Sequence, residues 1–564
     1  MTDLFPPFLL FVAGALLLPL IPNGHPRSLA AVIVPVISAY FIWMMPEGMH
    51  GQFTLVGQEL TLLRVDKLST IFGLIFSLAA FLALIYAWHV RDTIQQTTSL
   101  LYAGAAIGAV FAGDLISLFI FWEGTAIASV FLIWARRTEG AYWTGLRYLI
   151  VQVGSGVVLL AGVVLQYNDT GSIAFEAMTL GSPATWFIFL AFGVKCAFPL
   201  MHNWLQDAYP AATVTGTVVL SAFTTKLAVY ALARGFAGTE ILIYIGATMT
   251  LFPIFYAVIE NDLRRVLAYS LNNQLGFMVV GIGVGTELAL NGTAAHAFAH
   301  ILYKALLFMS IGAVLFRTGT AKGSELGGLY KTMPLTMIFC VVGAASISAF
   351  PLFSGFVTKS LILSASVHEG HYIVWGILLF ASAGVFHHSG IKIPYFAFFA
   401  HDSGLRPKEA PWNMLLAMGI TAFLCIAIGV YPEPLYALLP YEVVYIPYTT
   451  THVVTQLQLL FFSALAFTVL MRTGIYPPEL RSVNLDFDWT YRKLGPALIG
   501  AIRHLVRGIW GGIIGTGLRS INWGITTLQR AHGADGLLAR AWPTGQMVLW
   551  IAVLLGATLL LNYM

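Results

Sequence analysis

Apolar runs long enough to cross a lipid bilayer follow one another through almost the whole chain, and they leave few folds open. A hydrocarbon core about 30 Å thick takes about 20 apolar residues per helical crossing. Such runs lie at about 5–21, 28–45, 67–89, 98–112, 114–134, 143–165, 184–206, 213–234, 239–258, 265–284, 293–316, 332–366, 372–398, 411–431, 454–471 and 546–562, roughly sixteen in all. Backbone polar groups must be satisfied internally in lipid, so the expected class is an all-α polytopic membrane protein. Only 10% of the 564 residues are charged, against about 25% in soluble domains. The amino-terminal MTDLFPP has no basic region of the kind that opens a cleaved leader, so 5–21 reads as the first span.

Loop charge tests this count. Connections after odd-numbered spans carry Arg27, Arg91, Arg136, Arg137, Arg147, Arg264, Arg265, Arg317, Lys322, Lys331, Arg406 and Lys408, whereas those after even-numbered spans up to the fourteenth carry only Arg64, Lys67 and Arg234. The positive-inside bias then expects a bacterial inner (cell) membrane protein with its amino terminus outside and its odd-numbered loops in the cytoplasm. The stretch 472–545 breaks the pattern. Apolar residues there are interleaved with Arg503, Arg507, Arg519, Arg530 and Arg540, which predicts an amphipathic helix along a membrane surface or along neighbouring proteins. A last span, 546–564, follows.

Several ionisable side chains fall inside the apolar runs. Glu123, Lys195, Lys226 and Lys304 come from four spans, each roughly 13–20 Å into the core at 1.5 Å per residue. A lysine at that depth costs roughly 3 kcal/mol or more and needs a partner, a hydrated cavity or the freedom to shed its proton. His296, His300 and Lys304 are spaced i, i+4, i+8 and share one helix face. They make either a proton wire or a packed polar seam. Glu123 opposite Lys195 makes either a switch that sets the lysine's charge or a static ion pair. Lys392 lies near the end of its span, where a lysine can snorkel, and His387 and His388 beside it could line a path inward. The tetrapeptide Ala197-Phe198-Pro199-Leu200 recurs as Ala349-Phe350-Pro351-Leu352, with Lys195 before the first copy and Lys359 after the second. Proline inside a span frees backbone groups, and a pair of interrupted helices in corresponding halves points to an ion site.

Other chemistries are not written in the chain. Cys196, Cys340 and Cys425 are scattered, without metal-ligand spacing or a disulfide framework. No phosphate loop or dinucleotide fingerprint is present, and no basic tract interleaved with aromatics suggests nucleic acid. No cofactor and no metal are expected. Driving energy must come from an ion gradient or from partner subunits.

Six stretches in order carry a family likeness: FWEG around Glu123, VKCAFPLMHNWLQDAYPAA with Lys195, FTTKLAVYALAR with Lys226, NDLRRVLAYSLNNQLGFM, HAFAHILYKALLFMSIGA with His296, His300 and Lys304, and FPLFSGFVTKS with Lys359. Over about residues 60–430 the chain resembles the antiporter-like subunits shared by respiratory complex I and the Mrp-type multisubunit Na⁺/H⁺ antiporters, and within these most closely the D-type Mrp subunit. Its carboxyl-terminal extension is similar to that of the largest antiporter-like subunit of complex I.

The resemblance implies a 14-helix core with two inverted five-helix repeats, each holding a broken helix. Residues 1–97 would be spans one to three, 98–235 the first repeat, 236–400 the second and 401–471 spans fourteen and fifteen. It also implies a mid-membrane proton chain in which Glu123 and Lys195 gate one end, Lys226, His300 and Lys304 continue, and Lys359 serves the exit, within a hetero-oligomer of membrane subunits. Two positions depart from the pattern: Glu260 stands where the family usually has glutamine, and Tyr209 replaces its usual histidine.

The expected function is therefore a subunit moving protons against Na⁺ or another monovalent cation, not itself an enzyme. The alternatives are the pumping arm of an NADH–quinone oxidoreductase and the energising subunit of another uptake complex, such as one for inorganic carbon. A plain scaffold is disfavoured by the costly buried charges.

Overall fold

The computed structural model describes residues 5–55, 57–476, 479 and 484–563. Residues 1–4, ahead of the expected first span, and 477–478 and 480–483, inside the expected tail, lie outside the described residues. The chain divides into two units, Met1–Asp486 and Phe487–Met564.

The first unit is a helical membrane domain. Every span expected in it meets a helix, or a helix pair, within a few residues. Twelve helices among the described residues of the whole chain are long and apolar enough to cross a membrane. Pro7–Leu20, Pro183–Lys195 and Pro334–Ile347 are apolar but shorter, the last two because each is the first half of a broken helix. The expectation missed one element. The connection between the second and third spans is an antiparallel hairpin of β1 (Gly48–Leu55) and β2 (Gln58–Val65). Leu60, Leu63 and Val65 of β2 are buried, the first on the opposite strand face from the other two, so no clean alternation marks the hairpin between two much stronger apolar runs.

The hinted repeat extends well beyond four residues. Thr93–Phe111 and Ile241–Ile259 are both 19 residues long. Leu115–Trp134 and Leu263–Val284 follow, N-capped by Asp114 and Asp262. Glu139–Thr170 and Glu287–Thr318 are both 32 residues, N-capped by Thr138 and Thr286 and closed by Gly171 and Gly319 in the left-handed conformation. Side-chain capping and a left-handed glycine stop fix where a helix begins and ends, so equal caps give equal lengths. Asp114 bridges Ala174 as Asp262 bridges Lys322.

Next come the broken helices. In both copies of the tetrapeptide the alanine and the leucine have positive φ, 62° and 70° at Ala197 and Leu200, 56° and 74° at Ala349 and Leu352. The amides of Phe198 and Phe350 bond the carbonyls five residues back, Gly193 and Ala345, each at 3.0 Å. The same irregular turn is therefore built twice.

The second unit, described by itself, contains Gly495–His532, 38 residues long, and Thr544–Tyr563. At 1.5 Å per residue the first of these is about 57 Å long, nearly twice a bilayer core.

Candidate functional site

The breaks create the site. A broken helix exposes carbonyls that have lost their i+4 donors, and in an apolar interior something must bond them. Lysine ammonium groups do so at the break of the second half and at the kink of the first. Lys359, on Ser354–His368, donates to Ile347 O (2.7 Å), the last carbonyl before the gap. Its ammonium also sits 5.0 Å from the Phe277 ring centre. Lys226, on Thr224–Gly235, donates to Ser221 O (2.6 Å) across the kink at Phe223. Lys195 is the last residue of its half-helix. It reaches sideways to the neighbouring helix, where it donates to Thr125 Oγ1 (2.9 Å) and to the Trp122 carbonyl, with the Trp122 ring centre 4.5 Å away.

Lys195, Lys226, Lys304 and Lys359 are each no more than 1% exposed, as are His296 and His300. None points at lipid. Glu123 is partly exposed. Its carboxylate lies over Gly156, so closely that a Cβ there would fall 1.4 Å from Oε1. It is not a hydrogen-bond partner of Lys195: the carboxylate acts on the lysine only through its charge. Glu123 on Leu115–Trp134 and Lys195 on Pro183–Lys195 are thus linked by charge alone, with Thr125 and Trp122 holding the ammonium.

His296, His300 and Lys304 do share one face. His296 bonds Thr358 Oγ1 through Nδ1 (3.1 Å) and Gln274 Oε1 through Nε2 (3.2 Å), and Tyr303 Oη donates to the same Gln274 oxygen (3.1 Å). His300 has no hydrogen-bond partner on either nitrogen among the described residues, yet it lies within electrostatic reach of Lys226, Lys304, His296 and Lys359. Lys304 donates to Ser270 Oγ (2.8 Å) and feels Lys226 and Lys359. Cys196, the residue after Lys195, is within reach of Lys226. The seven singled-out residues thus fall into two electrostatically linked groups of the first unit, Glu123 with Lys195, and Lys226, His296, His300, Lys304 and Lys359 together, with Cys196 between them.

Counting from the caps, Tyr148, Gln152 and Gly156 occupy in Glu139–Thr170 the places of His296, His300 and Lys304 in Glu287–Thr318. Gln152, like His300, is buried with its polar atoms unpaired among the described residues. One half carries the cationic stripe; the other is neutral and leaves at Gly156 the space that Glu123 fills.

Sequence reading missed Thr125, Ser270, Gln274, Tyr303 and Thr358, neutral hydroxyls and an amide with no motif of their own. It also misjudged Lys392. That lysine does not snorkel: it is fully buried, bonds the carbonyls of Ala257, Val258 and Glu260, and pairs with Glu479 at 2.9 Å. Tyr209 spends its hydroxyl on Leu220 O (2.8 Å), a local bond across the helix turn.

Two polar clefts open on the first unit. One, about 480 Å³, is lined by Arg64, Asp66, Lys67, Arg234, Thr293 and Tyr441 among others, and Thr293 is one turn from His296. Asp66 bonds Arg234 (2.8 Å) and pairs with Arg64 (3.3 Å). Burial opposes ionisation of Asp66, but the two arginines hold its carboxyl below the usual range. The other cleft, about 470 Å³, is lined by Arg136, Asp207, Glu260, Arg265 and Lys322 among others. Burial raises the Glu260 carboxyl, partly offset by Arg265.

Buried lysines and histidines strung between helix breaks define a polytopic membrane protein of the ion-pathway type. The comparisons with known proteins give the family. Residues 112–386 match the family described as NADH:quinone oxidoreductase/Mrp antiporter, TM. The chain is 31% identical over 352 residues to the D-type Na⁺/H⁺ antiporter subunit of Alkalihalophilus pseudofirmus, covering 58% of this chain and 71% of that protein. The chain belongs to this antiporter-like family of membrane subunits. It also matches longer A-type antiporter subunits, of which it spans about half.

Two solved structures share the fold. A chain of the Mrp complex from Dietzia sp. DQ12-45-1b matches with a TM-score of 0.67 and 21% identity, over 77% of this chain and 91% of that one. A chain of the membrane-bound sulfane sulfur reductase, an archaeal respiratory membrane complex, matches with a TM-score of 0.72 and 23% identity over 100% of both.

Proposed function

We propose that the protein moves protons along Glu123, Lys195, Lys226, His300, Lys304, His296 and Lys359, in exchange for Na⁺ or another monovalent cation, as one subunit of a multisubunit antiporter. The observation that carries this is that four lysines from four helices are fully buried in one helical unit, each held by hydroxyls or by carbonyls rather than by a carboxylate. Such a lysine can be charged or neutral at modest cost, and a charge arriving at one site shifts the next. The unpaired polar atoms of Gln152 and His300 are the kind of groups an ordered water chain bonds.

The two repeated sets of helices each make five crossings, which sets them in opposite orientation in the membrane and gives the inverted repeat of a transporter. The cleft at Asp66 lies by the even-numbered connections and the cleft at Glu260 by the odd-numbered ones, so the row would open outward near His296 and to the cytoplasm near Lys304.

A second reading is favoured by one observation. The sulfane sulfur reductase chain matches the whole of this chain, while the Mrp chain leaves about a quarter uncovered. The same row would then be the proton-pumping arm of a respiratory complex, with partner subunits supplying the redox chemistry. The long helix Gly495–His532 would lie along those partners or along the membrane surface.

The test is proton flux in inverted vesicles holding the intact complex. Lys195→Ala and Glu123→Ala each abolish proton-coupled Na⁺ exchange while the complex still assembles. Unchanged exchange in both would refute the transport reading. The masses of the co-purifying subunits decide between antiporter and respiratory arm.

A further inference from the structure

Lys304 sits at the end of a hydrogen-bonded chain that leaves the row. Its ammonium donates to Ser270 Oγ (2.8 Å), which accepts from Ser389 Oγ (2.7 Å), which in turn meets His388 Nδ1 (2.9 Å). The other nitrogen of His388, Nε2, is buried with no partner among the described residues. Four residues on is Lys392. The helix here runs through a π turn at Phe386–Ile391, an irregularity found often at functional sites. It brings His388, Ser389 and Lys392 all to full burial.

Lys392 in turn joins two acids. Its ammonium is 2.9 Å from Glu479 Oε1 and 2.7 Å from the Glu260 carbonyl, and the Glu260 carboxylate acts on both Lys392 and Glu479. Glu260 lines the 470 Å³ cleft. It accepts from the amides of Asn261 (2.9 Å) and Asp262 (3.2 Å), and faces Arg265. Lys392 also lies within electrostatic reach of His388, so protonatable groups occupy the interval between an open cleft and Lys304.

A static role is the natural rival. Lys392 caps the carboxyl end of Ile241–Ile259, as a cation does at a helix terminus, and an ion pair with Glu479 would complete it. That rival does not account for the three further groups, His388, Ser389 and Ser270, aligned between Lys392 and Lys304, nor for the unpaired His388 nitrogen.

We propose that Glu260, Glu479, Lys392 and His388 form a proton-loading branch that joins the cleft to the row at Lys304. The proposal rests on the transport reading above. One proton is taken up at the cleft and one reaches Lys304. Lys392 gives a proton to His388 Nε2 and is recharged from the Glu479 carboxyl, which is refilled by way of Glu260. His388 releases its Nδ1 proton to Ser389, whose own hydroxyl proton passes to Ser270, and that of Ser270 to a neutral Lys304. The hydroxyls then turn back to the arrangement seen here, and the His388 ring flips so that its remaining proton again faces Ser389 and the bare nitrogen faces Lys392.

The experiment measures proton flux in vesicles of the intact complex while the pH of the cleft-side compartment is varied. Ser389→Ala, which removes one oxygen from a packed helix, is expected to slow flux at least tenfold, and Ser389→Thr to restore it. Glu479→Gln is expected to slow flux and flatten its dependence on cleft-side pH; a merely structural pair would change the amount of complex and leave that profile alone. If Glu479→Gln fails to assemble, Lys392→Met with Glu479→Met replaces the pair by apolar groups, a change often tolerated, and flux in the double variant is read the same way. Wild-type flux in Ser389→Ala together with an unchanged pH profile in the Glu479 variant overturns the branch while an inactive Lys304→Ala leaves the row standing. Wild-type flux in Lys304→Ala instead refutes the transport reading itself.

Discussion

The ammonium of Lys195 is 2.9 Å from the hydroxyl of Thr125, on the helix that also carries Glu123, and the carboxylate of Glu123 lies over Gly156. The two charged groups are coupled through space, and a neutral hydroxyl holds the lysine in position. A hydrogen bond from a charged donor contributes about 1.5–3 kcal/mol. Thr125→Val, which keeps the shape and removes the acceptor, is expected to slow proton flux by roughly tenfold or more, with normal assembly. Thr125→Ser is expected to be near wild type. Flux in vesicles checks both.

Gly156 has no substitute in this arrangement. A methyl group there would occupy the position of the Glu123 carboxylate oxygen, so Gly156→Ala must push the side chain out of the place from which it acts on Lys195. The expected outcome is a loss of flux as deep as in Glu123→Ala, although no charge has been altered. An alanine variant with full flux would show that the position of the carboxylate does not matter.

Each break holds an unbranched alanine in the left-handed backbone region. Ala349 has φ 56° and Ala197 φ 62°, a conformation that costs a β-branched residue about 1–3 kcal/mol. Ala349→Val and Ala197→Val should each lower the melting temperature of the detergent-purified protein, whereas Ala349→Gly and Ala197→Gly should not.

Asp66 joins β2 to the far end of the Thr224–Gly235 helix through Arg234. Its carboxyl is held below the usual range, so the unfolded chain binds the proton more tightly. The contribution to stability is therefore full above the ordinary aspartate pKa of 3.8 and is lost as pH falls through the lower folded value. Asp66→Asn should lower thermal stability near neutral pH and erase most of its difference from wild type in strong acid. Melting curves across that range test the sign.

What the chain determines by itself is what hydropathy and local spacing encode: the apolar runs, the lysines within them, the i, i+4, i+8 stripe of His296, His300 and Lys304, and the twice-written Ala-Phe-Pro-Leu. These signals are local, and helix formation in lipid reads them directly. The tertiary structure decided who meets whom. Nothing near Lys195 in sequence points to Thr125, 70 residues away, and nothing near Lys392 points to Glu479. A buried ammonium takes whichever oxygen the packing of neighbouring helices presents, so its partner is a property of helix crossings and not of the residues beside it. The hairpin of β1 and β2 escaped notice for the complementary reason. It shows no clean alternation beside the two spanning runs that flank it, and only the antiparallel pairing of Gly48–Leu55 with Gln58–Val65 makes it a sheet.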